Sequence, residues 1–200
     1  MTKRIKPGIV IVIAGPTGSG ESSVSRAICK KLPRTQMTIT STSRPPRPHE
    51  KNGVDYNFLS KKEFQRRIKT GRFLEYIKIL NRDNYYGTDR QDIENKLKKG
   101  INVIANLEIK GARVMKKVYP QTLTIFIKPD KISRIKNRLL TRDRTISREE
   151  FEKRLQNAKA ELKEAKFYDQ VVINYEGKMN QAINRIIKII KRHLAKLDTI

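Results

Sequence analysis

The stretch that most constrains this chain is residues 9–32, IVIVIAGPTGSGESSVSRAICKKL. Its first six residues are an unbroken apolar run, as expected of a strand buried on both faces. Gly15, Pro16, Thr17, Gly18, Ser19 and Gly20 follow, and then Val24, Ala27 and Ile28 recur at helical spacing. Strand, glycine-rich loop and helix in this order are the layout G-x-x-x-x-G-K-[ST], whose backbone N–H groups converge on phosphate oxygens at a helix N-terminus. Ser22 stands where a Mg2+-binding hydroxyl belongs, with Ser23 beside it. The position of the lysine is held by Glu21. Taken alone, the stretch also reads as an ordinary strand-to-helix turn, in which the helix dipole favours an acid in the first turn.

Two hundred residues suit one domain, or one core carrying a small inserted lobe. No apolar run approaches bilayer length, and the single cysteine, Cys29, excludes an internal disulfide framework. A cytoplasmic protein with no membrane association is the expectation. The charge is extreme: 45 Lys plus Arg against 20 Asp plus Glu leave +25 at neutral pH. Such a field attracts polyanions, and a nonspecific affinity for nucleic acid follows. The cations are spread over nearly every expected helix, with no basic stripe interleaved with aromatics. A dedicated nucleic-acid role is therefore the weaker reading.

Further along, residues 37–43 read as a second strand, ending in the stiff loop Ser43-Arg44-Pro45-Pro46-Arg47-Pro48. A tight turn at Asn52-Gly53, a strand at 54–59, a Ser60-capped helix to residue 69 and strands at 73–80 and around 85–88 make up a small, mostly β lobe at 44–88. The core, 1–43 and 89–200, then resumes its alternation. The spacing predicts helix 89–99, strand 101–107, a helix after Gly111, strand 123–127, and a helix opened by Pro129. Beyond a charged loop at 142–144, Ser147 and Glu150 form a capping box for a long helix. A strand at 171–174 and a closing helix with Ile183, Ile186, Ile187 and Ile190 inward complete the chain. Alternation of this kind specifies an α/β fold with a parallel sheet covered on both faces.

A second set of residues lies in the lobe. Arg44 and Arg47 share the proline-stiffened loop, with Tyr56, Glu75, Tyr86 and Thr88 downstream. Two guanidinium forks bind a phosphate, and tyrosine hydroxyls complete its shell. A carboxylate such as Glu75 accepts two parallel bonds from the N1–H and N2 amino group of guanine, whereas adenine offers it an acceptor. Read singly, two loop arginines are solvated and Glu75 is a surface strand residue.

In this order the motifs resemble those of guanylate kinases, P-loop nucleoside monophosphate kinases, and the likeness runs over almost the whole chain. TSTSRPPRPHEKNGVDYNF (40–58), FLEY (73–76) and NYYGT (84–88) are similar to that family's GMP-binding signature. The resemblance implies that Arg44, Arg47, Tyr56 and Tyr86 hold the GMP phosphate and that Thr40, Glu75, Thr88 and Glu108 face the guanine. It implies a lid at about 138–154 whose Arg138, Arg142 and Arg154 meet the transferring phosphoryl group. The loop 15–23 would hold the ATP phosphates, Asn174 would lie by the adenine, and Ser22 and Asn106 would attend the Mg2+. Two departures stand out: the lysine replaced by Glu21, and an Asp-x-Asp that reads Asn106-Leu107-Glu108. At about 4 Å and an effective dielectric of about 20, one unit-charge interaction is worth roughly 4 kcal/mol. Even half of that costs tenfold to a hundredfold, or more, in rate or ATP affinity. The expectation is transfer from ATP to GMP with impaired catalysis. The alternative is an inactive module that keeps the pocket for GMP or phosphopeptides.

Overall fold

The computed structural model describes residues 6–16, 18–79, 83–142 and 147–199, with Arg142 described by its backbone alone. Thr17 and the side chain of Arg142, both named above as site residues, lie outside this description, as do residues 143–146 of the expected lid.

Five parallel strands form the main sheet: β1 (Val10–Ala14), β2 (Thr35–Met37), β7 (Asn102–Asn106), β8 (Leu123–Pro129) and β9 (Gln170–Asn174), in the order β2-β7-β1-β8-β9. The helices are α1 (Glu21–Lys31), α3 (Arg90–Lys98), α4 (Ile109–Val118), α5 (Ile132–Arg142), α6 (Arg148–Glu164) and α7 (Met179–Asp198). The apolar run of β1 explains its own burial. Ile11 and Ile13 face α1 and α7 through Val24, Ile28, Ile183 and Ile186, while Val10 and Val12 pack on Ile93 of α3 and Met115 of α4. Both faces of a pleated strand are thus dry, so no polar alternation is tolerated. All five strands run the same way, so the loops after β1, β7 and β9 open on one edge of the sheet, where α/β folds take ligands.

A second sheet, in the order β4-β3-β6-β5, is made by β3 (Ser41–Thr42), β4 (Asn57–Phe58), β5 (Phe73–Ile79) and β6 (Asn84–Asp89), with α2 (Lys61–Lys69) packed on it. Its small core is the stack of Phe64 on Phe73 and Tyr85, with ring centroids 4.3 and 5.4 Å apart.

Several boundaries differ from expectation. The strand expected at 37–43 is two strands in two sheets: β2 pairs with β7, the chain crosses over, and β3 pairs with β4 and β6. The small sheet therefore takes in Ser41–Thr42 and runs to Asp89, past both ends of the expected 44–88 lobe. The strand expected at 54–59 shrinks to β4, because residues 51–55 close a turn in which Val54 and Asp55 both donate to the Lys51 carbonyl. Pro129 ends β8 instead of opening a helix, and α4 begins before Gly111, with Glu108 as its N-cap. At α6 the Ser147 hydroxyl accepts from the Glu150 amide at 3.2 Å, and the Glu150 carboxylate pairs with Arg154 one turn on.

Candidate functional site

The loop after β1 is shaped by its glycines. A Cβ on Gly15 would stand 2.4 Å from Ser19 Oγ and 2.5 Å from the Ile127 carbonyl, and Gly20 turns into α1 at φ +93°. The Ser19 amide donates to the Pro16 carbonyl at 2.8 Å, closing the turn. Buried Ser19 donates its hydroxyl to Glu21 Oε2 at 2.6 Å, so this carboxylate is held back against the loop. Ser22 and Ser23 are exposed in the first turn of α1.

Three further elements hold the loop. Asn174, at the end of β9 and 2 % exposed, donates from Nδ2 to the Ser19 carbonyl at 2.9 Å, while its Oδ1 is buried with no partner among the described residues. Arg134 of α5 donates to the Asn174 carbonyl at 2.6 Å and to Asp130 at 2.7 Å. Arg138, one turn on, donates to the Gly18 carbonyl. Arg138 therefore reaches the loop, whereas Arg154 on α6 is engaged with Glu150. The two arginines belong to one helical hairpin, packed through Ile135, Leu139, Leu155 and Ala158. Asn106, at the end of β7, accepts from the buried Ser25 hydroxyl of α1 at 2.7 Å, which ties the second departure to the helix following the loop.

In the lobe, strand pairing builds the guanine-facing set. Glu75 and Thr88 are partners across β5 and β6, and the Thr88 hydroxyl donates to Glu75 Oε1 at 2.6 Å. Burial raises the Glu75 pKa above the ordinary carboxylate range, the charge of Glu108 adds to the rise, and the Thr88 bond opposes it. Alternation along β6 sends Tyr85 into the lobe core and Tyr86 to the other face, where its hydroxyl accepts from Arg44 Nε at 3.2 Å. The Arg44 guanidinium lies 4.9 Å from the centroid of the Tyr56 ring. Arg44 is nearly buried, and its Nη1 and Nη2 grip both oxygens of Glu50 at 2.7 and 2.6 Å. The Arg47 amide donates to the same carboxylate at 2.8 Å, and together these bonds hold the Glu50 pKa down to about 2. The Arg47 side chain is exposed. Glu50 was not singled out in the sequence, although an acid three residues after Arg47 in a doubly basic loop is its natural counterion.

Two clefts meet between these halves. One, of about 330 Å3, is lined by Gly15, Glu21, Asn106, Glu108 and Tyr168. The other, of about 520 Å3, is lined by Thr40, Glu75, Tyr86, Asn106 and Glu108. The segment 106–110 between β7 and α4 forms part of both walls. Gly15 and Glu21 of the loop and Thr40, Glu75 and Glu108 of the guanine-facing set thus line two clefts that share this wall, a common seam. Cys29 lies apart from it, its thiol pushed up to about 11 by burial, and is chemically quiet.

The sequence model of the guanylate kinase family matches residues 8–195. A curated guanylate kinase of Clostridioides difficile is 34% identical over 197 residues, covering 98% of this chain and 95% of that protein. One of Fusobacterium nucleatum is 38% identical over 184 residues, covering 92% and 96%. The crystal structure of a guanylate kinase from Anaplasma phagocytophilum superposes with a TM-score of 0.72 over 94% of this chain and 86% of that one, at 24% identity, a likeness of fold.

Proposed function

The chain belongs to the guanylate kinase family, and from that footing we propose that it transfers the γ-phosphoryl group of ATP to GMP, giving ADP and GDP. The observation that carries this reading is the seam. A cleft bordered by Gly15 and Glu21 of the phosphate-cradling loop and a pocket bearing Thr40, Glu75 and Tyr86 share the segment 106–110 as a wall.

In this account Glu75 accepts from guanine N1–H and N2, with Thr40, Thr88 and Glu108 around the base, and Arg44, Arg47, Tyr56 and Tyr86 hold the GMP phosphate. Arg44 has two of its three nitrogens on Glu50, so a phosphate competes with that carboxylate or shares the fork with it. The loop amides from Gly15 to Ser22 hold the donor phosphates. Asn174 Oδ1 suits the adenine amino group, since a buried acceptor lacking a partner gains one there. Arg138 and the lid cations Arg142 and Arg154 add charge around the phosphoryl group. A GMP phosphate oxygen attacks phosphorus in line, with no covalent enzyme intermediate, and positioning and charge stabilisation are the protein's part.

Among the described residues no cluster of three or more His, Cys, Asp or Glu is arranged to hold a metal ion. The oxygens of Ser22 and Asn106 suit Mg2+ that arrives with ATP, since that ion keeps its waters and most of its ligands come from phosphates. When bound it would neutralise phosphate charge. We propose a cytoplasmic setting; among the described residues no helix is long and apolar enough to cross a membrane.

Glu21 and Asn106 favour a second reading, a module that binds GMP without turning it over. A coupled ADP-release assay separates the two. ATP consumption that depends on GMP, and far less on AMP, supports the kinase. Calorimetric GMP binding with no ADP release supports the module.

A further inference from the structure

We propose that Lys110 supplies positive charge to the phosphoryl group in transit, in place of the loop lysine that this chain lacks. The proposal rests on the kinase reading above and names a further catalytic residue for it.

The charges lining the clefts carry the argument. Among the described residues those on the donor side are Glu21, Glu108, Glu161, Glu164 and a single cation, Lys110. Among the described residues those on the acceptor side are Glu75, Glu108 and, again as the single cation, Lys110. Two polyanionic nucleotides must meet at these clefts, and among the described lining residues one ammonium group borders both. Three cations named above already have partners: Arg138 the Gly18 carbonyl, Arg154 Glu150, and Arg44 Glu50 and Tyr86. Among the described residues the Lys110 ammonium makes no ion pair and no hydrogen bond, and the side chain is exposed at the cleft wall.

Its place on the backbone points the same way. Lys110 is the second residue of α4, behind the N-cap Glu108, and the first turn of this helix holds no acid. A cation at a helix N-terminus opposes the macrodipole and is locally unfavourable, so it gains more than an ordinary surface lysine when an anion arrives. Gly111 and Ala112, its neighbours, are buried against Leu107 and the core, which fixes the turn and leaves Lys110 on the cleft side. During transfer a GMP phosphate oxygen forms its bond to the γ-phosphorus. The bond from that phosphorus to the β–γ bridging oxygen breaks, and ADP leaves with the electron pair. Lys110 stays protonated throughout and neither gives nor takes a proton.

The test is steady-state kinetics on the parent, Lys110→Gln, Lys110→Arg, Glu21→Lys and the Glu21→Lys/Lys110→Gln double variant, with GMP calorimetry in the absence of ATP. Calorimetric GMP binding reports that each variant is folded. The expected result for Lys110→Gln is a loss of about tenfold or more in kcat, larger than its loss in GMP affinity, with Lys110→Arg keeping most of the activity. Glu21→Lys should raise kcat by a larger factor in the Lys110→Gln background than in the parent, because the two lysines serve one charge. A kcat for Lys110→Gln within about twofold of the parent's, or a loss confined to KM, would overturn the assignment and leave the kinase reading standing. Equal gains from Glu21→Lys in both backgrounds would likewise overturn it. A parent that binds GMP and transfers nothing overturns both.

Discussion

Glu75→Gln changes one atom's chemistry at nearly constant shape, and its consequences are opposite for the empty protein and for the complex. In the empty protein Glu75 is half-buried, accepts from Thr88 at 2.6 Å and has a raised pKa. A carboxyl with a raised folded-state pKa contributes its full stability below its unfolded-state pKa and loses it as pH rises through the folded value. At neutral pH the ionised group is therefore a small burden, and glutamine, which still accepts from Thr88, should leave the melting temperature unchanged or slightly higher. In the complex the carboxylate accepts two charge-assisted bonds from guanine, each worth about 1.5–3 kcal/mol. Glutamine keeps one as a neutral bond and turns an amide N–H towards a guanine N–H. The net loss is about 3 kcal/mol, more than a hundredfold in Kd. AMP should bind no worse than before, since the new N–H suits adenine N1, so selectivity collapses from the GMP side alone. The raised pKa adds a pH signature: GMP affinity in the parent should fall, on acidification, at a higher pH than an ordinary glutamate would impose. Calorimetry with GMP and AMP across pH, with thermal melts of the empty protein, reads all of this. GMP affinity for Glu75→Gln within about threefold of the parent's would refute the guanine-reading role.

Arg44→Ala should cost about 2 kcal/mol or more in GMP binding, by removing the nearly buried fork against Tyr56 and Tyr86, measurable by the same calorimetry. His49 is exposed with φ at +73°, a left-handed conformation that a β-carbon disfavours, so His49→Gly should stabilise the protein by about 1 kcal/mol in denaturant titration. Binding to DNA or RNA, driven by the +25 charge, should be indifferent to sequence and fall steeply between two salt concentrations in filter binding. Tight selective binding at physiological salt would instead favour a nucleic-acid role.

The parallel sheet was legible because burial on both faces leaves a local signature: β1 and β7 are near-continuous apolar runs, and the lobe helix α2 carries its own Ser60 cap. What failed were features set by partners outside the segment itself. Residues 37–43 look like one strand, and only pairing with β7 on one side and β6 on the other divides them. Residues 54–59 alternate correctly, yet a side-chain and backbone turn between Lys51 and Asp55 takes the first two of them. The site residues were readable as types at a spacing. Their second contacts were not: Asn174 bracing the Ser19 carbonyl, Ser25 holding Asn106, and Glu50 filling the Arg44 fork all join segments whose proximity is made by the fold or by a turn. Lys110 carries no local signal at all, since its meaning comes from the two cleft walls it shares.

Transfer should proceed although Glu21 occupies the lysine position. Rapid-quench kinetics with γ-labelled ATP, GMP and Mg2+ test it most directly, because the label's destination distinguishes transfer from hydrolysis. Label should appear in GDP at a rate that rises with GMP and is faster in Glu21→Lys. Label that stays in ATP or is released only as inorganic phosphate, while GMP is shown to be bound, would contradict it.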